Sequence, residues 1–114
     1  MIEDEARMPH ILVVEDSDVQ ALELRAVLQA TGYRVTRASS AEAAIDLINR
    51  DIPDLIVADY QLPNMDGREF TRQLRLNEQT RAVPIVLVTS DAKIGERAGL
   101  ESGADAVSYT HLTL

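Results

Sequence analysis

The chain has 114 residues and a formal net charge of -8; 46% of its residues are hydrophobic, only 4% are aromatic, and Phe70 is the lone Phe, so one domain with a single core of Val, Ile, Leu and Ala is expected. The absence of Cys excludes disulfides, thiolate metal sites and cysteine nucleophiles, and ten Arg plus Lys93 spread among 19 acids argue against direct nucleic-acid binding, which needs clustered cations. No window approaches the roughly eighteen apolar residues of a membrane span, and Glu3, Asp4 and Glu5 are unlike the basic start of a signal peptide, so a soluble, cytoplasmic protein without membrane contact is expected.

Residues 1–9 are polar, acidic and aperiodic, and read as a flexible leader. Ile11 to Val14 form an apolar run that ends in Glu15-Asp16, a first strand over 10–15. Ser17 or Asp18 can cap the helix that follows, whose Ala21, Leu24, Val27 and Leu28 recur at three- and four-residue spacing, and Gly32 ends it. Tyr33 to Ala38 has the composition of a second strand with Val35 facing inward. Ser40 caps a second helix over 41–50, with Ala41, Ala44, Ile45 and Ile48 on one side, and Pro53 closes the connection.

Leu55 to Ala58 is a nearly continuous apolar run ending in Asp59, and Pro63 and Met65-Asp66-Gly67 then force a loop. A third helix carries Phe70 and Leu74 four residues apart and is expected to run to about Gln79. Pro84 to Thr89 is the fourth strand, 92–102 a weaker helix interrupted by Gly95 and Gly99, and Gly103-Ala104-Asp105 turns into a last strand over 106–109. Near-continuous apolar strands, separated by helices and short loops, imply a doubly wound α/β fold: five parallel strands joined by right-handed crossovers, with helices on both faces.

Ligands of such sheets sit beyond the carboxyl ends of the strands, at the topological switch point. Glu15 and Asp16 end the first strand, Asp59 the third, and Thr89, Ser90 and Asp91 the fourth. In the order 2-1-3-4-5 the strands bearing them are neighbours about 4.8 Å apart, so these groups converge. Clustered carboxylates raise one another's pKa and need a cation to stay ionised near neutral pH. An all-oxygen, acidic site suits a hard ion such as Mg²⁺. Read singly, each acid is equally a helix cap or a turn residue, and Thr89 equally a packing residue.

The pair Glu15-Asp16, the pattern Asp59-x-x-x-Pro63-x-x-Asp66-Gly67, Thr89 at the end of the fourth strand and Gly103-Ala104-Asp105 before the fifth together resemble the receiver domain of two-component response regulators, with its flavodoxin-like fold. The resemblance covers about residues 10–107. It implies that Asp59 accepts a phosphoryl group from a phosphohistidine on a histidine kinase or histidine phosphotransfer protein, and that the chain is a phosphoacceptor in a phosphorelay, not a turnover enzyme. It further implies that Asp16, Asp59 and the backbone carbonyl of Gln61 bind Mg²⁺ or Mn²⁺, with Glu15 assisting through water. Thr89 would then contact the phosphoryl group and couple the site to the face of helix four and strand five. Gln61 and Asp91 resemble the variable positions that tune hydrolysis of the aspartyl phosphate.

Two features depart from the pattern. Where the family has Lys-Pro after the fifth strand, this sequence has Thr110 and His111, and Lys93 does not occupy the matching position. The family's fifth helix has no counterpart before Leu114, so an uncovered sheet face is expected to favour partner binding or a homodimer, there or through the helix-four and strand-five face. The tail 108–114 continues neither the family's sequence nor an amphipathic pattern and reads as a truncation or foreign junction. Two alternatives accompany the phosphoacceptor reading. One is a degenerate receiver that only binds partners. The other is a phosphatase-like hydrolase, suggested by Asp16-Ser17-Asp18, which resembles the Asp-x-Asp nucleophile motif of haloacid dehalogenase-type enzymes.

Overall fold

The computed structural model of the protein describes residues 8–89 and 96–109. Most of the leader, Ser90, Asp91, Lys93, Thr110, His111 and most of the tail therefore lie outside the described residues. Strands β1 (His10–Val14), β2 (Arg34–Ala38), β3 (Leu55–Asp59), β4 (Ile85–Thr89) and β5 (Ala106–Tyr109) alternate with helices α1 (Asp18–Ala30), α2 (Ala41–Arg50), α3 (Gly67–Leu76) and α4 (Glu96–Glu101). The strands form one sheet in the order β2-β1-β3-β4-β5, with every pair parallel. This is the expected flavodoxin-like topology, and no helix among the described residues is long and apolar enough to cross a membrane.

The apolar strands are buried because helices cover both faces. Leu12, Val14, Ile56, Ala58, Ile85 and Leu87 pack against Ala41, Ala44 and Ile48 of α2 and Phe70 and Leu74 of α3. Ile11, Val13 and Val57 point the other way, onto Leu24 and Leu28 of α1 with Tyr33 and Val35. All five residues of β1 are buried, which is why it shows no polar alternation. In β4, Ile85, Leu87 and Thr89 are buried whereas Val86 and Val88, on the α1 side, are only half-buried.

Helix boundaries follow side-chain capping. Ser17, not Asp18, caps α1 by accepting from Gln20 N, and Ser40 caps α2 by accepting from Ala43 N. Gly32 follows α1 at φ 101°, a left-handed conformation glycine adopts without a Cβ penalty.

Two expectations are corrected. Val27 is 64% exposed; with 3.6 residues per turn it falls about 60° outside the arc spanned by Ala21, Leu24 and Leu28, and so misses the sheet. Helix α3 stops at Leu76, short of Gln79. Thr80 Oγ1 donates to Leu74 O at 2.6 Å, taking up a terminal carbonyl of the helix, and the Asn77 side chain accepts from Gln79 N at 2.9 Å, which turns the chain.

The amino ends of the strands are tied by polar contacts between segments distant in sequence. The Asp54 carboxylate, just before β3, accepts from His10 N at 2.7 Å, and His10 Nε2 lies 2.7 Å from Thr36 Oγ1. Before β5, Asp105 Oδ2 accepts from Ile85 N at 2.8 Å and from Arg75 Nη2 at 2.9 Å. The Arg75 guanidinium also donates to Gly103 O at 2.8 Å and Val83 O at 2.7 Å, fastening α3 to the segments that lead into β4 and β5.

Candidate functional site

The carboxyl ends of β1 and β3 adjoin because those strands pair directly, Val14 opposite Ala58. Each strand ends by releasing an acid: Glu15-Asp16 after β1 and Asp59 at the end of β3. One carboxylate oxygen from each of Glu15, Asp16 and Asp59 lies within 4.8 Å of the others. Glu15 is buried, Asp59 half-buried and Asp16 exposed, so the cluster opens to solvent on the Asp16 side.

The surroundings fix these side chains. Glu15 Oε2 accepts from Ser17 N at 3.0 Å, and Asp59 Oδ1 accepts from Gln61 N at 2.9 Å. Behind Asp59, α3 begins at Gly67, whose N donates to Tyr60 O at 2.9 Å. A Cβ at position 67 would stand 2.6 Å from Asp59 O, so glycine lets the helix start directly against the strand end. Thr89 ends the neighbouring strand, one residue beyond the Asp59–Val88 pairing, and is buried.

Electrostatically the cluster is under strain. Burial raises the Glu15 carboxyl to about 7; the Ser17 N–H opposes this, and the facing Asp59 reinforces it. Asp59 is also raised, first by burial and further by the Asp16 charge, against the lowering effect of the Gln61 N–H and of its hydrogen bond with Glu15. The pair thus keeps its protons to higher pH than free carboxyls do.

The residues fit a hard divalent cation: three carboxylates converge, two are raised above their ordinary range, and one side is open. Among the described residues, Glu15, Asp16, Asp59 and Gln61 come together, with Thr89 on the adjoining strand. Asp18 does not join them. Its side chain is 92% exposed and pairs with Arg37, so Asp16 and Asp18 do not form a convergent nucleophile and acid pair.

Sequence reasoning missed two cations at this end of the sheet. Arg68 stacks over the Tyr60 ring, 5.3 Å from its centroid. Arg37 donates to Glu15 O at 2.9 Å and to Asp18 Oδ1 at 2.8 Å. The available signal for Arg37 was its position one residue before the end of β2, in register with Val13, which sets it beside the turn leaving β1.

A parallel sheet of this order with an acidic cluster at the β1 and β3 ends defines a receiver-type domain. Residues 11–107 match the response regulator receiver domain, and the chain belongs to that family. It is 41% identical over 99 residues to the transcriptional regulatory protein AfsQ1 of Streptomyces coelicolor, covering 86% of this chain and 43% of that one. It is 34% identical over 93 residues to the polar-differentiation response regulator DivK of Brucella ovis, covering 82% of this chain and 76% of DivK. The chain thus spans less than half the length of AfsQ1. Among solved structures it is similar to the receiver domain of the sensor histidine kinase PA1611 of Pseudomonas aeruginosa, with TM-score 0.80 and 34% identity over 94% of this chain and 87% of that one; that structure has a magnesium ion coordinated in its active-site cleft.

Proposed function

We propose that this domain is the phosphoacceptor of a two-component phosphorelay, taking a phosphoryl group from a phosphohistidine on a histidine kinase or histidine phosphotransfer protein onto Asp59. The carrying observation is the convergence of Glu15, Asp16 and Asp59 within 4.8 Å in a chain of the receiver family. Asp59 is the acceptor because it sits between the other two elements of the site: the acid pair that follows β1 and the Thr89 end of β4. A carboxylate oxygen of Asp59 bonds to phosphorus as the P–N bond to the imidazole breaks, and the imidazole nitrogen keeps the electron pair and takes up a proton.

Asp16, Asp59, the Gln61 carbonyl and, through water, Glu15 would hold Mg²⁺ or Mn²⁺. The ion supplies charge neutralisation for the transferred group, which phosphoryl transfer needs more than covalent help. The Gln61 N–H holds the Asp59 carboxylate in one orientation, and the Thr89 hydroxyl is the group to contact the transferred phosphoryl oxygens and carry the switch toward α4 and β5. The domain is consumed and reset once per transfer and is not a turnover enzyme. It works in the cytoplasm and signals by protein contacts, including self-association through the α4–β5 face or the half-buried α1 side of the sheet, without binding nucleic acid itself.

Incubation with Mg²⁺ and acetyl phosphate should add the mass of one phosphoryl group to the intact protein. Omission of Mg²⁺ and Asp59→Asn should each abolish that adduct. No adduct on the wild type would instead favour a receiver that only binds partners, a reading motivated by Thr110 where the family pattern has Lys.

A further inference from the structure

We infer that Arg37 is a positioning residue for the cation-binding turn, holding Asp16 in place by gripping both ends of the segment 15–18. The inference rests on the metal-binding role of Glu15, Asp16 and Asp59 given above. Asp16 is the exposed member of the cluster, and its place depends on the path of the backbone between the end of β1 and the start of α1. One planar guanidinium spans that path. Nε donates to Glu15 O at 2.9 Å on one side of Asp16, and Nη1 donates to Asp18 Oδ1 at 2.8 Å on the other.

The anchor is itself rigid. Arg37 lies inside β2 opposite Val13, its side chain is only 23% exposed, and Glu15 N donates to Ala38 O at 3.0 Å, so β2 fixes the turn through backbone and side chain together. Ser17 completes the frame by donating its N–H to Glu15 Oε2 and capping α1. A two-armed, pre-formed fork holds such a segment at little entropic cost, which a flexible ammonium cannot reproduce.

Geometry and charge make opposite demands at this position. A guanidinium bonded to the turn that carries Glu15 and Asp16 repels an incoming cation, so on electrostatics alone its removal tightens divalent-ion binding. If Arg37 positions Asp16, its removal weakens binding, because residues that orient metal ligands typically set affinity by 10–100-fold.

The test is Mg²⁺ binding by calorimetry at pH 8 on the full chain as wild type, Arg37→Ala and Arg37→Lys, each first shown to be folded by its metal-free thermal melt. Arg37→Ala is expected to weaken Mg²⁺ binding about tenfold, and Arg37→Lys, which keeps the charge but cannot hold both ends, by at least about threefold. Affinity equal to or tighter than wild type in Arg37→Ala, or wild-type affinity in Arg37→Lys, overturns the inference; if Arg37→Ala does not fold, Arg37→Lys decides alone. A wild type that takes up no Mg²⁺ overturns the metal reading and this inference together, whereas tight wild-type binding with unchanged variants overturns this inference only.

Discussion

The two rims of the sheet carry the same kind of side chain in opposite states. At the amino ends, Asp54 and Asp105 each accept backbone N–H donors, and Asp105 also has the Arg75 guanidinium. At the carboxyl ends, Glu15, Asp16 and Asp59 face one another; Glu15 is raised by burial and by the facing Asp59, and Asp59 by burial and by the Asp16 charge. One rim uses its carboxylates to hold strands; the other leaves them crowded together. Satisfied and crowded carboxylates are thus separated along the strand axis, with Asp54 and Asp59 only five residues apart.

The contrast predicts that removing a carboxylate has opposite signs at the two rims. Asp105→Ala leaves Ile85 N without its side-chain acceptor and Arg75 without its ion-pair partner, and should cost about 1.5–3 kcal/mol in denaturant unfolding. Asp105→Asn, which keeps an acceptor for Ile85 N, should cost less.

The second effect is pH-dependent. Glu15 titrates from 4.5 in the open chain to about 7 in the fold, so its proton favours the folded state. Its contribution is complete below pH 4.5 and is lost as pH rises through 7, and Asp59 acts in the same direction. Without metal, the protein should lose on the order of 1–2 kcal/mol between pH 5.5 and 8, less than the full shift implies because the site opens to solvent. Glu15→Gln should flatten that dependence, and Mg²⁺ at pH 8 should reverse it; metal-free and metal-loaded melts at both pH values decide the matter.

Smallest is the expected gain from Asp59→Asn. The amide keeps an oxygen for Gln61 N and removes one of three crowded charges, so the metal-free variant should be more stable by about 0.5–1 kcal/mol at pH 8. A loss of stability there would show that the Asp59 charge is compensated within the protein, and would erase the contrast between the rims.

Much of this was legible in the chain itself. Glu15, Asp16 and Asp59 stood out because each ends an apolar run, and in a parallel sheet such ends share one rim. Arg37 and Arg75 did not, because their partners lie 22 and up to 30 residues away and nothing local distinguishes a clamping arginine from a solvated one. Val27 shows the limit of spacing rules: three- and four-residue intervals place a residue near a stripe, but at 3.6 residues per turn Val27 falls outside the arc that meets the sheet. Similarly, propensity carried the third helix past Asn77, where side-chain bonds to the backbone end it.

By itself, the sequence determined the β-α order, the parallel sheet and the three acids that converge, because burial on two faces leaves no polar alternation and puts acids only at strand ends. Only the tertiary structure decided which carboxylates are satisfied and which are strained. That distinction depends on donors brought from distant segments, Arg75 and backbone N–H groups at one rim, other carboxylates at the other, and no local pattern encodes those meetings.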